Sequence, residues 1–315
     1  LTQDKLVEET NLFFHDNAAI QCSFTKETLE VRLHNLTANG GIVSEGGRYY
    51  CPERFENEQD VADILKRRAE KKSPYATIPD DLLQECLTVA EDEVGYHLDE
   101  VQRSAVFSAI RNTTSVITGG PGSGKTTLLN TYIRTLEYAV KRLGNHKPDI
   151  SLAAPTGMAS KRMAASTGRE ARTIHKLFDI RYDTSRDREE AKIIMSDVVV
   201  LDEVSMLDID IMACILRSLN DSTVLILVGD VDQIPSIGPG NVLSDIIESG
   251  IIPVARLVHS YRHGSRKTIL INSAKINSGD EDLVTNRADF VMVKVPDKPT
   301  DKECRRLRAV TERVY

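Results

Sequence analysis

The sequence predicts an α/β protein: a parallel sheet flanked by helices, preceded by a small, mainly helical module. Three observations predict it. From about residue 98, short β-branched apolar runs (115–118, 150–154, 198–201 and 223–228) alternate with helical stretches. These runs are apolar throughout rather than at every second position, which fits strands buried on both faces. Residues 1–94 carry helical patterns and one hairpin signal instead, so strand–helix alternation and the doubly wound architecture it implies begin only after them.

The elements follow in order. In 26–38, Leu29, Leu33 and Leu36 recur at helical spacing, and Gly40-Gly41 end the helix. Ile42-Val43, a Gly46-Gly47 turn and Tyr49-Tyr50 read as a short hairpin. A helix followed by a hairpin resembles a winged-helix unit, which binds DNA in some proteins and is a spacer in many. Residues 58–70 form an amphipathic helix with Val61, Ile64, Leu65 and Arg68 on one stripe. The stretch 70–80 (EKKSPYATIPD) is polar, holds two prolines and reads as a linker. A third helix at 81–93 leads to Gly95. The domains are therefore placed at 1–94, 95–265 and 266–315, the last with a helix at 266–277 and a strand at 290–295.

Composition narrows the classes. The chain has 315 residues, 41% hydrophobic and 28% charged, which excludes collagen-like, disordered and disulfide-scaffold proteins. No apolar run reaches the roughly 20 residues of a membrane span. Asp4, Glu8 and Glu9 occupy the place of a basic signal-peptide start. Cys22, Cys51, Cys86, Cys214 and Cys304 are scattered without a CxxC pair, which suits a reduced, cytoplasmic chain without a zinc site. The net charge of −7 excludes nucleic-acid binding by bulk positive charge. It leaves a local track: 155–181 holds Lys161, Arg162, Arg169, Arg172, Lys176 and Arg181 against Glu170 and Asp179, a net +4. A solvated surface would also account for that run.

The chemistry-bearing motifs fall just after the apolar runs, where ligands sit in such sheets. Gly119-Gly120-Pro121-Gly122-Ser123-Gly124-Lys125-Thr126 matches G-x-x-x-x-G-K-[ST] in full, between a strand and a helix at 125–143. The glycines let backbone N–H groups turn inward on phosphate oxygens, and the helix N-terminus adds partial positive charge. Lys125 is assigned to the β/γ-phosphates of ATP and Thr126 to Mg²⁺, with Thr127 following in the same turn. Asp202 and Glu203 emerge from 198–201, Asp202 as the Mg²⁺ partner and Glu203 as the base that polarises water. An acidic pair capping the next helix is the plainer alternative. Gln233, after the run 223–228, can touch both a γ-phosphate oxygen and the attacking water, or can simply lie in a Pro/Gly loop. Pro155 and Thr156 start a helix whose N–H groups can hold a nucleic-acid phosphate, with Lys161 adding charge. Thr173 and His175 lie further along the same track, His175 equally suited to a structural role. Asp99 with Gln102 reads as a capping box or, favoured here, as Gln102 pairing with the adenine edge, two jobs that one residue can do at different atoms. Arg262 is the candidate for stabilising transition-state charge.

As a set these motifs resemble superfamily 1 DNA helicases of the 1B branch, in the RecD-like group (the exodeoxyribonuclease V alpha-chain family). The resemblance is carried by LDEVQ at 98–102, GGPGSGKTT at 119–127, APTGMASKRM at 154–163, TIHKLF at 173–178, VVVLDEVSM at 198–206, LVGDVDQIPSIGPG at 227–240 and HSYRH at 259–263. It implies that 95–265 is a RecA-like ATPase lobe and that the activity is ATP-driven 5′→3′ movement on single-stranded DNA. It also implies that Thr156, Lys161 and Thr173 touch the DNA backbone, that Arg262 is an arginine finger, and that 179–192 is a duplex-splitting hairpin, although a solvated loop suits its composition equally.

The family pattern continues into a second lobe with further motifs that these residues do not show, and the chain begins with Leu1. The expectation is a fragment lacking most of that lobe, able to bind ATP and half a DNA track but not to unwind. The expected partner is single-stranded DNA or a single-strand/duplex junction, with no membrane, a monomeric chain, and RecBC-type partners left open. Two other readings remain: a nucleotide-binding regulatory or assembly module that does not translocate, and the helicase part of a relaxase fusion.

Overall fold

The computed structural model describes residues 4–6, 8–9, 25–180, 192–257, 267–285 and 290. The chain divides into two units, Leu1–Ser260 and Tyr261–Tyr315.

The first unit is built on a six-stranded parallel sheet. In chain order its elements are α1 (Lys26–Ala38), the hairpin β1 (Val43–Glu45) and β2 (Arg48–Tyr50), α2 (Pro52–Ala69), α3 (Asp80–Val94), α4 (Glu100–Arg111), β3 (Thr114–Gly119) and α5 (Lys125–Arg142). Then come β4 (Ile150–Ala154), α6 (Gly157–Thr167), β5 (Ala171–Thr173), α7 (Ile174–Phe178), β6 (Val198–Leu201), a short 3₁₀ turn (Val204–Met206), α8 (Ile209–Arg217), β7 (Val224–Gly229), α9 (Val242–Ser249) and β8 (Val254–Leu257). The large sheet runs β5-β4-β6-β7-β3-β8. All five pairings are parallel, with Val200 opposite both Leu152 and Ile226. Every residue of β6 and β7 is buried, as continuous apolar runs require.

Alternate strand residues feed two cores. Val199, Leu201, Leu225, Leu227 and Val116 face one, with Ile209, Met212, Ile215 and Leu216 of α8 and Val61 and Leu65 of α2. Val198, Val200, Val224, Ile226 and Ile117 face the other, with Leu128, Tyr132 and Leu136 of α5, Leu83 and Leu87 of α3 and Val106 and Ile110 of α4. Each such buried side chain contributes roughly 1.5–3 kcal/mol.

The expected boundary at residue 94 therefore falls inside a unit. The helices α2 and α3, assigned from sequence to a separate domain, each cover one face of the sheet. The stretch 70–80 is not a solvated linker. Ile78 is only 3% exposed. Ser73 N–H donates to Arg111 O at 3.1 Å, and Arg111 in turn contacts Ala76 O and Asp80. Arg68 explains why α2 is bound so firmly. Its side chain is 1% exposed and donates to Thr114 Oγ1 (2.9 Å), Asn220 O (3.0 Å), Thr113 O (2.9 Å) and Thr223 O. These acceptors lie at the amino ends of β3 and β7, and burial lowers the guanidinium pKa to about 10. Nearer the start of the same helix, Arg217 reaches Asp60 and Asn57, and Asn57 reaches Asp210, tying α2 to α8.

Local signals set the element ends. The hairpin turns on Gly46 and Gly47 at φ +57° and +75°, a left-handed pair suited to a tight two-residue turn. The helix α2 starts at Pro52, earlier than the apolar stripe indicated, because proline at the first helical position needs no N–H partner. The three-residue edge strand β5 was not foreseen, since ART carries no apolar run. Among the described residues no helix is long and apolar enough to cross a membrane, and Cys51, Cys86 and Cys214 are free thiols.

In the second unit α10 spans Lys267–Asn277. Asn272 exchanges two hydrogen bonds with Val284, through Nδ2 (2.6 Å) and Oδ1 (2.8 Å). Arg262, most of the insertion at 179–192 and the strand expected at 290–295, except Phe290, lie outside the described residues.

Candidate functional site

The carboxyl ends of β3, β4, β6 and β7 bring the motifs to one edge of the sheet. The turn after β3 is shaped by close packing. A Cβ on Gly119 would lie 2.7 Å from both Leu257 O and Ser123 Oγ. Gly122 and Gly124 have φ of +84° and +86°. The helix α5 then begins at Lys125 with no side-chain cap, so its first N–H groups stay available for an anion. The buried Ser123 Oγ has no hydrogen-bond partner among the described residues. An uncapped helix start beside an orphaned hydroxyl is a cradle for phosphate oxygens, and a nucleoside triphosphate fits it. Gly120 and Pro121 complete the turn, and Thr126 is exposed at its end.

Lys125 Nζ donates to Gly119 O and to Gly120 O, the latter at 3.2 Å. Burial lowers its pKa, and Asp230, Asp202 and Glu203 partly oppose that shift. Lys125, after β3, thus feels the carboxylates at the tips of β7, the adjacent strand, and of β6, the next one over. Asp202 continues the β6 ladder through its N–H to Ala153 O (2.9 Å), while its Oδ1 accepts from Glu203 N–H (2.8 Å). Burial raises its pKa, against the Glu203 N–H and Lys125. Glu203 occupies the left-handed region at φ +54°, ψ +40°, a conformation that costs a non-glycine residue about 1–2 kcal/mol. That strain sits at the residue assigned as the base, as strain at working sites often does.

Among the described residues no group of three or more His, Cys, Asp or Glu could cage a metal. The donors assigned from sequence are the exposed Thr126 hydroxyl and the Asp202 carboxylate. Such a sparse oxygen set suits Mg²⁺ carried in on a nucleotide, an ion that keeps several waters and few protein ligands.

The sequence reading passed over Asp230 as a site residue. It is 3% exposed, at the end of β7, and is the leading carboxylate acting on Lys125. Its position after a third apolar run was the available signal. Its Oδ1 accepts from Asp232 N–H (3.1 Å) and its carbonyl from Gln233 N–H (3.2 Å). Gln233 itself is exposed in the loop that follows.

Gln102 is turned into the protein. It is 1% exposed, its Oε1 accepts from Asp99 N–H (3.1 Å) and its Nε2 donates to Ser123 O (3.1 Å). Asp99 Oδ1 accepts from Gln102 N–H (2.8 Å), so the capping box is complete. The capping-box reading is realised with one bond at each end of the carboxamide, and each end has a second bonding site for the adenine contact.

The candidate DNA track is contiguous. Strands β4 and β5 pair with Ala154 opposite Thr173, which sets Pro155 and Thr156 beside Thr173 and His175. Both threonines are N-caps: Thr156 Oγ1 accepts from Ala159 N–H (3.1 Å) and Thr173 Oγ1 from Lys176 N–H (3.3 Å). Each hydroxyl also has a hydrogen to donate. The positive charge is less even than the sequence implied. Arg169 pairs with Glu137 (2.6 Å) and Arg172 with Glu170 (2.8 Å), whereas Lys161 and Lys176 are exposed on α6 and α7.

Similarity to known proteins agrees with this geometry. Residues 102–239 match the family model described as AAA domain. The chain is 37% identical over 202 residues to RecBCD enzyme subunit RecD of Mycolicibacterium smegmatis, covering 58% of this chain and 36% of that protein. With the same-named subunit of Mycobacterium tuberculosis H37Rv it shares 31% identity over 249 residues, 73% of this chain and 41% of that protein. It is 28% identical over 235 residues to ATP-dependent RecD2 DNA helicase of Deinococcus radiodurans, 75% of this chain and 31% of that one. Among solved structures, Bacteroides sp Pif1 in complex with ADP-AlF4 aligns over 58% of this chain and 47% of that one at 21% identity, TM-score 0.40. The chain spans about a third to two-fifths of these curated relatives' length. Six of these motifs lie in order on one parallel-sheet lobe, and over this region the chain is similar in sequence to these RecD subunits.

Proposed function

We propose that this chain supplies the nucleotide-hydrolysing lobe of an ATP-dependent DNA helicase that moves 5′→3′ on single-stranded DNA. The observation that carries the reading is Lys125, held by the phosphate-binding turn and acted on by Asp230, Asp202 and Glu203 from the tips of two neighbouring strands. Lys125 exchanges its backbone carbonyl partners for β- and γ-phosphate oxygens. Thr126 and Asp202 would hold Mg²⁺, which would neutralise charge developing on those oxygens. Glu203 takes a proton from the attacking water. Gln233 contacts that water, and the family resemblance assigns Arg262, which lies outside the described residues, to transition-state charge on the γ-phosphate. The DNA backbone lies along Pro155, Thr156, Lys161, Thr173 and His175.

Names of the relatives support helicase activity and leave open whether the protein works alone or inside a RecBCD-type complex. Strand separation is assigned to the full natural protein, with a monomer on a single-strand/duplex junction as the working unit. The test is ATP hydrolysis by that protein with and without single-stranded DNA, and unwinding of duplexes with a 5′ or a 3′ tail. Stimulated hydrolysis lost in Lys125→Ala and unwinding of the 5′-tailed duplex alone are expected. Hydrolysis without tail-dependent unwinding would leave a nucleotide-binding module that does not translocate.

A further inference from the structure

We propose that Asp208 is a positioning residue for hydrolysis, locking the loop that carries Gln233 onto the segment that carries Asp202 and Glu203; this rests on the ATP-hydrolysing reading of the same site. The two segments leave adjacent strands, β6 and β7, whose ends pair as Leu201 with Leu227. They then stay in contact along their length. A Cβ on Gly229 would lie 3.3 Å from Ser205 N, and one on Gly240 would lie 3.3 Å from Ile209 Cβ. Between these points the approach is closest. A Cβ on Gly238 would lie 2.0 Å from Asp208 Oδ2 and 2.8 Å from Asp208 Cβ, so no side chain fits there while both segments keep their places.

Asp208 cannot swing away cheaply. It is the N-cap of α8, with Oδ1 accepting from Ile211 N–H at 2.9 Å, which leaves Oδ2 turned toward Gly238. The next residue fastens the same contact, Ile209 N–H donating to Pro239 O at 2.9 Å. Ser236 Oγ lies within hydrogen-bonding reach of Gly238 O (3.0 Å) and Gly240 O (2.9 Å), which folds the loop back on itself. At its other end the loop is hooked to the nucleotide site by Gln233 N–H on Asp230 O. Gln233 therefore sits on a span fixed at Asp230 and at Asp208. The acidic pair and the glutamine are set as one body, with Asp208 acting through the loop rather than on nucleotide.

The test uses the full natural protein. Asp208→Ser keeps a helix cap but loses the contact with Gly238. Asp208→Asn keeps both, and Gly238→Ala forces the segments apart without touching the cap. Asp208→Ser and Gly238→Ala are expected to lower kcat for DNA-stimulated hydrolysis about tenfold while the KM for ATP stays within about twofold, the size of effect a small misplacement near reacting atoms produces. Asp208→Asn should retain most of the parental kcat. Hydrogen exchange at the Ile209 amide should quicken in the first two variants and not in the third. A hydrolysing parent with unchanged kcat in both Asp208→Ser and Gly238→Ala would overturn the positioning role alone. A parallel loss of nucleotide affinity in both would also overturn it, by showing general damage to the pocket. A parent that hydrolyses no ATP would overturn the functional reading beneath it.

Discussion

Gln102 Nε2 donates to the carbonyl oxygen of Ser123 at 3.1 Å, so the first turn of α4 is tied directly to the phosphate-binding turn. Loss of this side chain strips both that bond and half of the capping box. Gln102→Ala should therefore lower stability by about 1–2 kcal/mol and weaken ATP and GTP binding alike. Thermal melting with parallel nucleotide titrations reads this. Unchanged stability with relaxed preference for ATP over GTP would assign Gln102 to the adenine contact instead.

Asp202 pays for its burial as a carboxylate. Its pKa is raised in the folded chain, so the folded state disfavours the charged form. The penalty is present at neutral pH, shrinks as pH falls through the raised pKa, and is gone below the ordinary aspartate value. Asp202→Asn should accordingly abolish Mg²⁺-dependent hydrolysis while making the nucleotide-free protein more stable at pH 7. Urea melts from pH 7 down to about pH 4 should show that gain fading.

Lys125 carries the opposite charge and the same kind of cost. Burial lowers its pKa, so the protonated form is penalised in the folded state until pH rises through the ordinary lysine value. Lys125→Met should remove nucleotide binding without loss of stability at pH 7, and any gain should vanish toward pH 10. A destabilised Lys125→Met protein at pH 7 would show that the bonds to Gly119 O and Gly120 O outweigh the burial.

Arg68 is far from this chemistry, at the amino ends of the strands. Arg68→Met fills the space but strips the buried Thr223 carbonyl of its side-chain donor and leaves those of Thr113 and Asn220 with only the N–H groups of Leu225 and Thr223. A loss of about 3 kcal/mol or more is expected in chemical denaturation, with nucleotide affinity in the folded protein unchanged.

The exposed lysines of the DNA track should behave differently from its paired arginines. Lys161→Ala and Lys176→Ala are each expected to weaken single-stranded DNA binding and to reduce the salt slope by about 0.7. Arg169→Ala and Arg172→Ala should do less, since Glu137 and Glu170 already neutralise them. Fluorescence anisotropy across a salt series measures both.

Much of this protein is written locally. The runs at 150–154 and 198–201 became strands with those bounds because each is a short, mainly apolar run between helical stretches, which a parallel sheet buries on both faces. The phosphate-binding turn, Asp202 and Thr156 were readable because each lies where a strand ends. Contacts between distant segments were not readable. Whether 70–80 is a linker depends on Arg111 and Ile78, and the turn of Gln102 into the protein depends on Ser123. The partition of α2 and α3 onto opposite faces of the sheet, the capture of Arg68 by three strand-end carbonyls and the seating of Gly238 against Asp208 were settled only in three dimensions. Periodicity and turn chemistry act between neighbours in the chain. Burial and close approach act between residues that only folding brings together.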